Sequence, residues 1–323
     1  MSAPREQSPV RRRRPTVRDV ARAAGVSVAV VSYTFNRPER VASATRERVL
    51  AAAHAIGYRG PDPAARALRL GRHGAIALVA PDSVERLFSQ PAYALVGRGL
   101  ARACDQAGIS LVLSGGNAVG VDGAVLLGGA AATWAGAAPA VIVGDLDAQM
   151  DGIPLVRADV AQGGAELARH LAGQGHRRLA VVTWPGGGER LAGVRAGWGG
   201  VGPVHAYEVP GTSSAAGEAA ARAALQETPR PDAIIALCDE LARGALDAAS
   251  FLGLSVPRDV SIAGMDDLPG VEVLGLTSVF IPYRPMGDLA GGILAAAIDG
   301  SAPASPPPLP TSLTLRGTTA PRA

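Results

Sequence analysis

The stretch that decides the fold runs from Thr16 to Leu68. It reads T-V-R-D-V-A-R-A-A-G-V-S-V-A-V-V-S-Y-T-F-N over 16–36, V-A-S-A-T-R-E-R-V-L from Val41, G-Y-R-G-P-D from Gly57 and A-A-R-A-L-R from Ala64. The first part has the spacing of a helix-turn-helix. A first helix fits Val17 to Ala24, with Thr16 as N-cap and Asp19 at the third position, a capping-box start. Gly25 allows the left-handed residue that a tight turn needs. Ser27 caps a second helix running to about Phe35. Val20, Ala21, Ala24, Val26, Val31 and Phe35 form a small apolar core between them. A third helix, capped by Ser43 and running from Ala44 to about Ile56, closes that core with Val49, Leu50, Ala53 and Ile56. The small or polar outer face of the second helix is left free to enter a groove of DNA.

Charge is distributed accordingly. Residues 1–72 carry 15 Arg against five Asp and Glu, a net of +10, whereas the remaining residues carry 16 Arg against 23 acids, a net of −7. The whole chain is only +3, so the bulk figure conceals a basic head on an acidic body. A basic head attracts phosphates and makes binding salt-dependent. The tail, residues 1–14, ends in Arg11 to Arg14 and is expected to be disordered when free. It is either a solvated charge run or a non-specific phosphate contact beside the first helix.

Length allows a small domain and one body of about 250 residues, or two subdomains. Hydrophobic residues make up 48% of the chain, enough for a substantial core, although aromatics are only 4%. No 18-residue apolar run is present, so no membrane span is expected. The N-terminal arginines have no apolar stretch behind them and do not read as a signal peptide. Cys104 and Cys238 do not suggest a disulfide framework. A cytoplasmic location fits these features.

From about Ala75 the chain alternates apolar runs with helical patterns. Strand-like runs are Ala75–Ala80, Ser110–Leu113, Gly123–Leu127, Ala140–Val143, Leu179–Thr183, Ala233–Leu237 and Val260–Ala263. Helical patterns are Tyr93–Ala107, Ala161–Gly173, Ser214–Glu227, Glu240–Gly253 and Met286–Ile298. Continuous apolar strands separated by helices predict an α/β body whose parallel sheets are covered on both faces.

The order of elements in the head resembles the LacI/GalR family of bacterial transcription repressors: helix-turn-helix, third helix, G-Y, then an A-A-R-x-L hinge segment. Segments of the body stand in the same family's order. They are P-A-Y-A-L-V-G-R-G-L from Pro91, R-L-A-G from Arg190, C-D-E-L-A-R-G-A-L from Cys238, L-G-L-S-V-P-R-D-V-S-I-A-G-M-D-D from Leu252, L-T-S-V from Leu276 and the closing L-T-L-R-G-T from Leu313. The resemblance implies an N-terminal helix-turn-helix headpiece on a two-lobed, periplasmic-binding-protein-like body with parallel sheets. It places the basic tail at 1–14, the headpiece at 15–60, the hinge at 61–74 and the body at 75–323. Lobe 1 would take about 75–157 and 283–305, and lobe 2 about 158–281 and 309–323, the chain crossing near Arg157, Pro282 and Pro306.

By that resemblance Val28 and Ala29 sit at the exposed start of a recognition helix, with Tyr33 one turn later. Val28 and Ala29 can meet thymine methyls but cannot form bidentate bonds to a base. Thr16, Ser27, Ser32, Tyr33, Asn36 and Arg40 would fix position on phosphates or single base edges. In the hinge, Arg66 would lie near the DNA, and the place of Leu68 implies an apolar wedge in the minor groove; Leu68 packing on the body is the bland alternative. Gly60 adds one residue to the family's spacing before that leucine.

Ligands of parallel α/β folds bind at the carboxyl ends of strands, in the crevice between lobes. Arg190, Asp239, Asp266 and Tyr93 match the family's effector positions, and Trp184 could stack on a sugar or base face or simply be a packing residue. Asp266 with Asp267 could instead cap the following segment. Cys238 stands where many family members have Asn, which removes a hydrogen-bonding side chain. The segment Gly115–Val121 is too short for the family's helix, because a parallel crossover usually needs about a dozen residues. Either a helix is missing there or one flanking run is not a strand.

The expected protein is therefore a DNA-binding transcription regulator, most simply a repressor. It would meet a pseudo-palindromic double-stranded operator as a homodimer and answer to a small polar effector, sugar- or nucleoside-like. No cofactor or metal is expected, and no membrane partner. An enzyme is disfavoured: there is no G-x-S-x-G, H-E-x-x-H, Walker loop or paired-cysteine motif. The remaining alternative is a small-molecule-binding protein without specific DNA function.

Overall fold

A computed structural model describes residues 15–58 and 72–322, which fall into two compact units divided after Gly74. The tail and nearly all of the hinge, including Arg66 and Leu68, lie outside the described residues.

The headpiece holds α1 (Val17–Ala24), α2 (Val28–Asn36), a 3-10 turn at Pro38–Arg40 and α3 (Ser43–Ala55). At the start of α1, Asp19 Oδ2 accepts from Thr16 N at 2.8 Å and from Thr16 Oγ1 at 2.7 Å. Gly25 ends the helix at φ 63°, where a side chain would be strained. Ser27 Oγ accepts from Val30 N at 3.3 Å, so two of the expected caps form. Val20, Ala21, Ala24, Val31, Val49 and Ala53 are buried, and Phe35 meets Tyr58 edge-on at 5.6 Å beneath them. Two expectations need correction. Ser43 is the first residue of α3 rather than its cap, and its hydroxyl bonds Glu47 instead of a backbone amide. Leu50 is 44% exposed because the turn of α3 carries it past the seam that Val49 and Ala53 fill.

The body contains two sheets. The first has the order β2-β1-β3-β4-β5, all parallel, from β1 (Ala75–Val79), β2 (Ser110–Ser114), β3 (Gly123–Leu127), β4 (Ala140–Val143) and β5 (Leu155–Val156). The short α4 (Arg86–Ser89) and then α5 (Pro91–Ala107) join β1 to β2. The second sheet has the order β11-β10-β9-β8-β6-β7. Its strands are β6 (Leu179–Thr183), β7 (Val204–Glu208), β8 (Ala233–Ala236), β9 (Ser261–Asp266), β10 (Thr277–Phe280) and β11 (Ser312–Thr314), and only β11 is antiparallel. Its helices are α6 (Val160–Gly173), α7 (Gly188–Trp198), α8 (Ser214–Leu225) and α9 (Asp239–Phe251). The last helix, α10 (Tyr283–Ile298), returns to the first sheet and packs on α5, β3 and β4.

The second sheet is covered on both faces, as expected: α6 and α7 lie over Leu179, Val181 and Ile235, and α8 and α9 over Ala180, Val182 and Ile234. The first sheet departs from that rule. Ile76 and Leu78 face α5 and α10, but Ala77, Val79 and Leu126 are covered by the loop 115–122, the 3-10 turn Gly128–Thr133, Trp134, Ala148 and Ile153. Both runs flanking the short segment are strands, so it is the helix that is missing. The loop can manage without one because β2 and β3 flank β1. Two inter-strand spacings and the register offset from Val79 back to Ile76 amount to a gap of roughly 14 Å. Eight extended residues reach about 28 Å. Val121 of the loop is buried, and Asn117 Oδ1 accepts from Ala135 N at 3.0 Å, tying the loop to the neighbouring turn.

Helix α7 is not among the helical patterns of the sequence, because glycines interrupt its run. The glycines serve packing: a Cβ on Gly193 would stand 2.1 Å from Ala161 O, and one on Gly197 2.1 Å from Ala165 O. Strand β7 also escaped the sequence reading. It is an edge strand with mostly exposed side chains, and so lacks the apolar run.

Candidate functional site

Two surfaces carry functional geometry. On the headpiece, α2 turns Val28, Ala29 and Tyr33 outward, with Val28 46% and Tyr33 43% exposed, while Val31 and Thr34 anchor its inner face. Ser32 is half-buried, and Arg40 is exposed in the 3-10 turn. Asn36 ends α2, but its side chain lies outside the described residues. Thr34 Oγ1 donates to Val30 O at 2.9 Å, so its hydroxyl is spent within the helix. The outward face is apolar at its start and aromatic one turn on, suited to contact rather than to bidentate base reading.

In the body a cavity of about 370 Å³ opens between the two sheets. Its floor is Arg190, on α7 and only 5% exposed. Arg190 Nη1 donates to Leu237 O and to Asp266 Oδ1, both at 2.8 Å, and Nη2 donates to the Tyr283 hydroxyl at 3.1 Å. Nε reaches Asp145 Oδ2 at 3.4 Å. The Tyr283 hydroxyl in turn donates to Asp266 Oδ1 at 2.5 Å. Trp184 lies beneath the guanidinium, 5.3 Å from Cζ to the ring centre. Burial opposes the charge on Arg190, but Tyr283, Asp145 and Asp266 outweigh it and hold the guanidinium firmly protonated. Burial raises the Asp266 carboxyl even against the pull of Arg190, and burial beside Asp266 raises the Tyr283 hydroxyl.

Asp266 ends β9 with φ 127° and Asp267 follows at φ 51°, conformations that cost a non-glycine residue of order 1–3 kcal/mol. The result is divergence. Asp266 turns into the cavity, while Asp267 turns away and binds Arg316 Nη1 at 2.7 Å and Thr314 Oγ1 at 3.0 Å, fastening the last strand. The pair does not cap a helix.

Asp145 links the lobes: it follows β4 in the first sheet and meets an arginine of the second. Thr212 Oγ1 bridges to Gln90 Oε1 at 3.3 Å across the same gap. Arg157 pairs with Glu189 at 2.8 Å beside the crossing, where Leu309 N donates to Arg157 O and Asp159 N to Leu309 O, each at 2.9 Å.

Comparison with known proteins decides what this arrangement belongs to. Residues 16–60 match the model for bacterial regulatory proteins of the lacI family, and residues 168–319 match that for the periplasmic binding protein-like domain. An HTH-type transcriptional regulator of Mycobacterium tuberculosis is 33% identical over 336 residues, covering 89% of this chain and 92% of that protein. The chain belongs to the LacI family.

It is a DNA-binding transcription regulator with an effector-binding body, and not an enzyme. Among solved structures, the complex of the transcriptional regulator CelR with cellobiose matches with a TM-score of 0.67 and 29% identity, covering 94% of this chain and all of that one. The lac repressor dimer bound to operator and the anti-inducer ONPF shares the fold, with a TM-score of 0.73 at 24% identity over 95% of this chain and all of that one.

Of the residues expected in the effector cleft of this LacI-family regulator, Tyr93, Trp184, Arg190 and Asp266 line one cavity. Asp239 does not line it. Its Oδ1 accepts from Ser278 Oγ at 2.6 Å and its Oδ2 from Leu268 N at 2.8 Å, so both oxygens are used behind the wall. Burial and the neighbouring Asp266 push its carboxyl up to about 8. Cys238 does line the cavity, as a thiol that burial keeps protonated. The sequence reading missed Asp145 and Tyr283. Asp145 follows an apolar strand run, the same signal that exposed Asp266, whereas Tyr283 follows a crossing and had no such mark. No helix among the described residues is long and apolar enough to cross a membrane. No cluster of His, Cys, Asp or Glu among them could hold a metal.

Proposed function

We propose that the protein is a repressor that binds a pseudo-palindromic operator as a two-fold dimer and is switched by a small polar effector in the interlobe cavity. The observation that carries the effector half is the buried Arg190–Asp266–Tyr283 triangle on the floor of a ligand-sized cavity, with Trp184 beside it. Carboxylate, phenol and guanidinium offer fixed donors and acceptors to hydroxyls, and an aromatic face suits a sugar or a base. The likeness to a cellobiose-bound regulator supports a sugar-like ligand.

For DNA, the reading assigns Val28, Ala29, Ser32 and Tyr33 to the major groove. Thr16, Ser27, Asn36 and Arg40 lie at its margins, and Arg66 and Leu68 belong to the hinge. The domains are the tail 1–14, headpiece 15–60, hinge 61–74 and body 75–323. The effector changes the angle between lobes and so the spacing of the two heads. Selection of an operator from random duplex DNA, followed by release on addition of sugars and nucleosides, tests both halves. Equal affinity for selected and scrambled duplexes would leave only the alternative of a ligand-binding protein without specific DNA function.

A further inference from the structure

The cavity carries a charge pattern that narrows its ligand, on the reading that it is the effector site. Its charged lining residues are Arg86 and Arg190 against Asp145, Asp147, Glu240 and Asp266. Four of the five N–H groups of Arg190 are already engaged, by Leu237 O, Asp266, Tyr283 and Asp145, so its charge is matched before any ligand arrives. Arg86 pairs with Asp82 at 3.3 Å, and Glu240 with Arg243 at 2.7 Å. Among the described residues no cation stands within ion-pair distance of Asp147. With Asp266 ionised the cluster of Arg190, Asp145, Asp147 and Asp266 is net negative by two, and with Asp266 protonated still by one. Helix amino ends favour anions; those of α7 and α9 carry Glu189 and Glu240 in their first turns, but these carboxylates are paired with Arg157 and Arg243. The first turns of α5, α8 and α10, which also border the cavity, carry no acid, so the case against an anion rests on Asp145 and Asp147 and not on the helix ends.

We propose that the cleft selects effectors without an anionic group, uncharged or amine-bearing polyols whose donors fall on Asp145 and Asp147, and rejects their phosphorylated or carboxylated counterparts. A phosphate in this cavity would meet matched arginines and an unmatched carboxylate, and like charges brought together in a binding site are strongly disfavoured.

Trp184 reports the sign of the cavity directly. Trp198 is 1% exposed and beyond the reach of ionic quenchers, so the full-length Trp134→Phe protein leaves Trp184 as the accessible indole. Its fluorescence is quenched with iodide and with caesium at equal ionic strength, each normalised to free N-acetyltryptophanamide. The expected result is normalised quenching at least about threefold stronger by caesium than by iodide. The double change Asp145→Asn and Asp147→Asn should narrow that gap. Iodide quenching equal to or above caesium quenching overturns the proposal. Glucose, glucosamine and glucose 6-phosphate, and adenosine with its monophosphate, are then compared by thermal shift on the parent protein. Any phosphorylated member that binds more tightly than its parent compound also overturns it. A panel in which nothing binds counts against the cavity as the site of such an effector, while the quenching ratio still decides its charge.

Discussion

Arg190 is a structural centre of the body. Four groups from both lobes converge on it, and Asp266 would be left buried and unpaired without it. Removing one partner of a buried ion pair typically costs about 3–5 kcal/mol. Arg190→Ala should therefore lower the thermal midpoint of the body as well as abolish effector response. Asp145→Asn, which removes a charge but keeps an acceptor for Arg190 Nε, should keep the midpoint within a few degrees. Differential scanning calorimetry of the two variants separates these outcomes; equal midpoints would show that Arg190 has no structural role. Asp239 gives a pH prediction. Its carboxyl titrates near 8 in the native state against 3.8 in the unfolded chain, so the native state holds a proton that the unfolded chain has released. That contribution is complete below about pH 4 and is lost as pH rises toward 8. Asp239→Asn can still meet Leu268 N and Ser278 Oγ, and its stability relative to the parent should rise between pH 5 and pH 8 in urea titrations. Parallel curves would mean that Asp239 titrates normally. On the headpiece, Tyr33→Ala should weaken operator binding by about 1–3 kcal/mol, the range for a good base contact, read by fluorescence anisotropy at fixed salt. The match to the family's effector positions made Arg190 and Asp266 legible in the sequence, Asp266 also by its place at a strand end. Asp239 misled for the same reason, since position in the chain does not say which way a carboxylate turns.

At the scale of elements, glycine both hid a helix and made it possible. Gly193 and Gly197 lower the helix propensity of α7, yet they let its backbone approach α6 at contact distance. Gly193→Ala should cost 1–3 kcal/mol or more through overpacking against Ala161 O, with no polar group changed. Gly188 opens α7 at φ −58° with nothing near its missing Cβ, so Gly188→Ala should stabilise by up to about 1 kcal/mol. Chemical denaturation of the pair checks the contrast; a neutral Gly193→Ala would show that the two helices can part without penalty. Alternation of apolar runs and helical patterns revealed most strands and five body helices, because burial on both faces leaves continuous apolar stretches. The thin face of the first sheet was legible only as a shortage of residues. Which of the two explanations held depended on strand order, a non-local property that no local pattern records.

At the scale of the molecule, the first sheet is complete in sequence at Val156, but one of the two helices on its main face, α10, spans Tyr283–Ile298. The second sheet likewise waits for β11 and for the last residues, where His176 meets Ala320 O and Asp232 lies near Arg322. A ribosome releases the amino terminus first, at about 5–20 residues per second. Some 140 residues separate Val156 from Ile298, so an emerging lobe 1 presents the bare apolar faces of α5, β3 and β4 for roughly 7–30 s. The headpiece, whose core is closed by Ile56 and Tyr58, has no such delay. Nascent chains arrested at residue 280 should yield a protease-resistant headpiece and a digestible lobe 1, and a chaperone that grips apolar segments should remain bound. Arrest far enough downstream to free α10 from the exit tunnel should protect the lobe and release the chaperone. The interleaved crossings that tie the lobes together thus leave the whole body hostage to its final few dozen residues, and a frameshift late in the reading frame would be as damaging to lobe 1 as one within it.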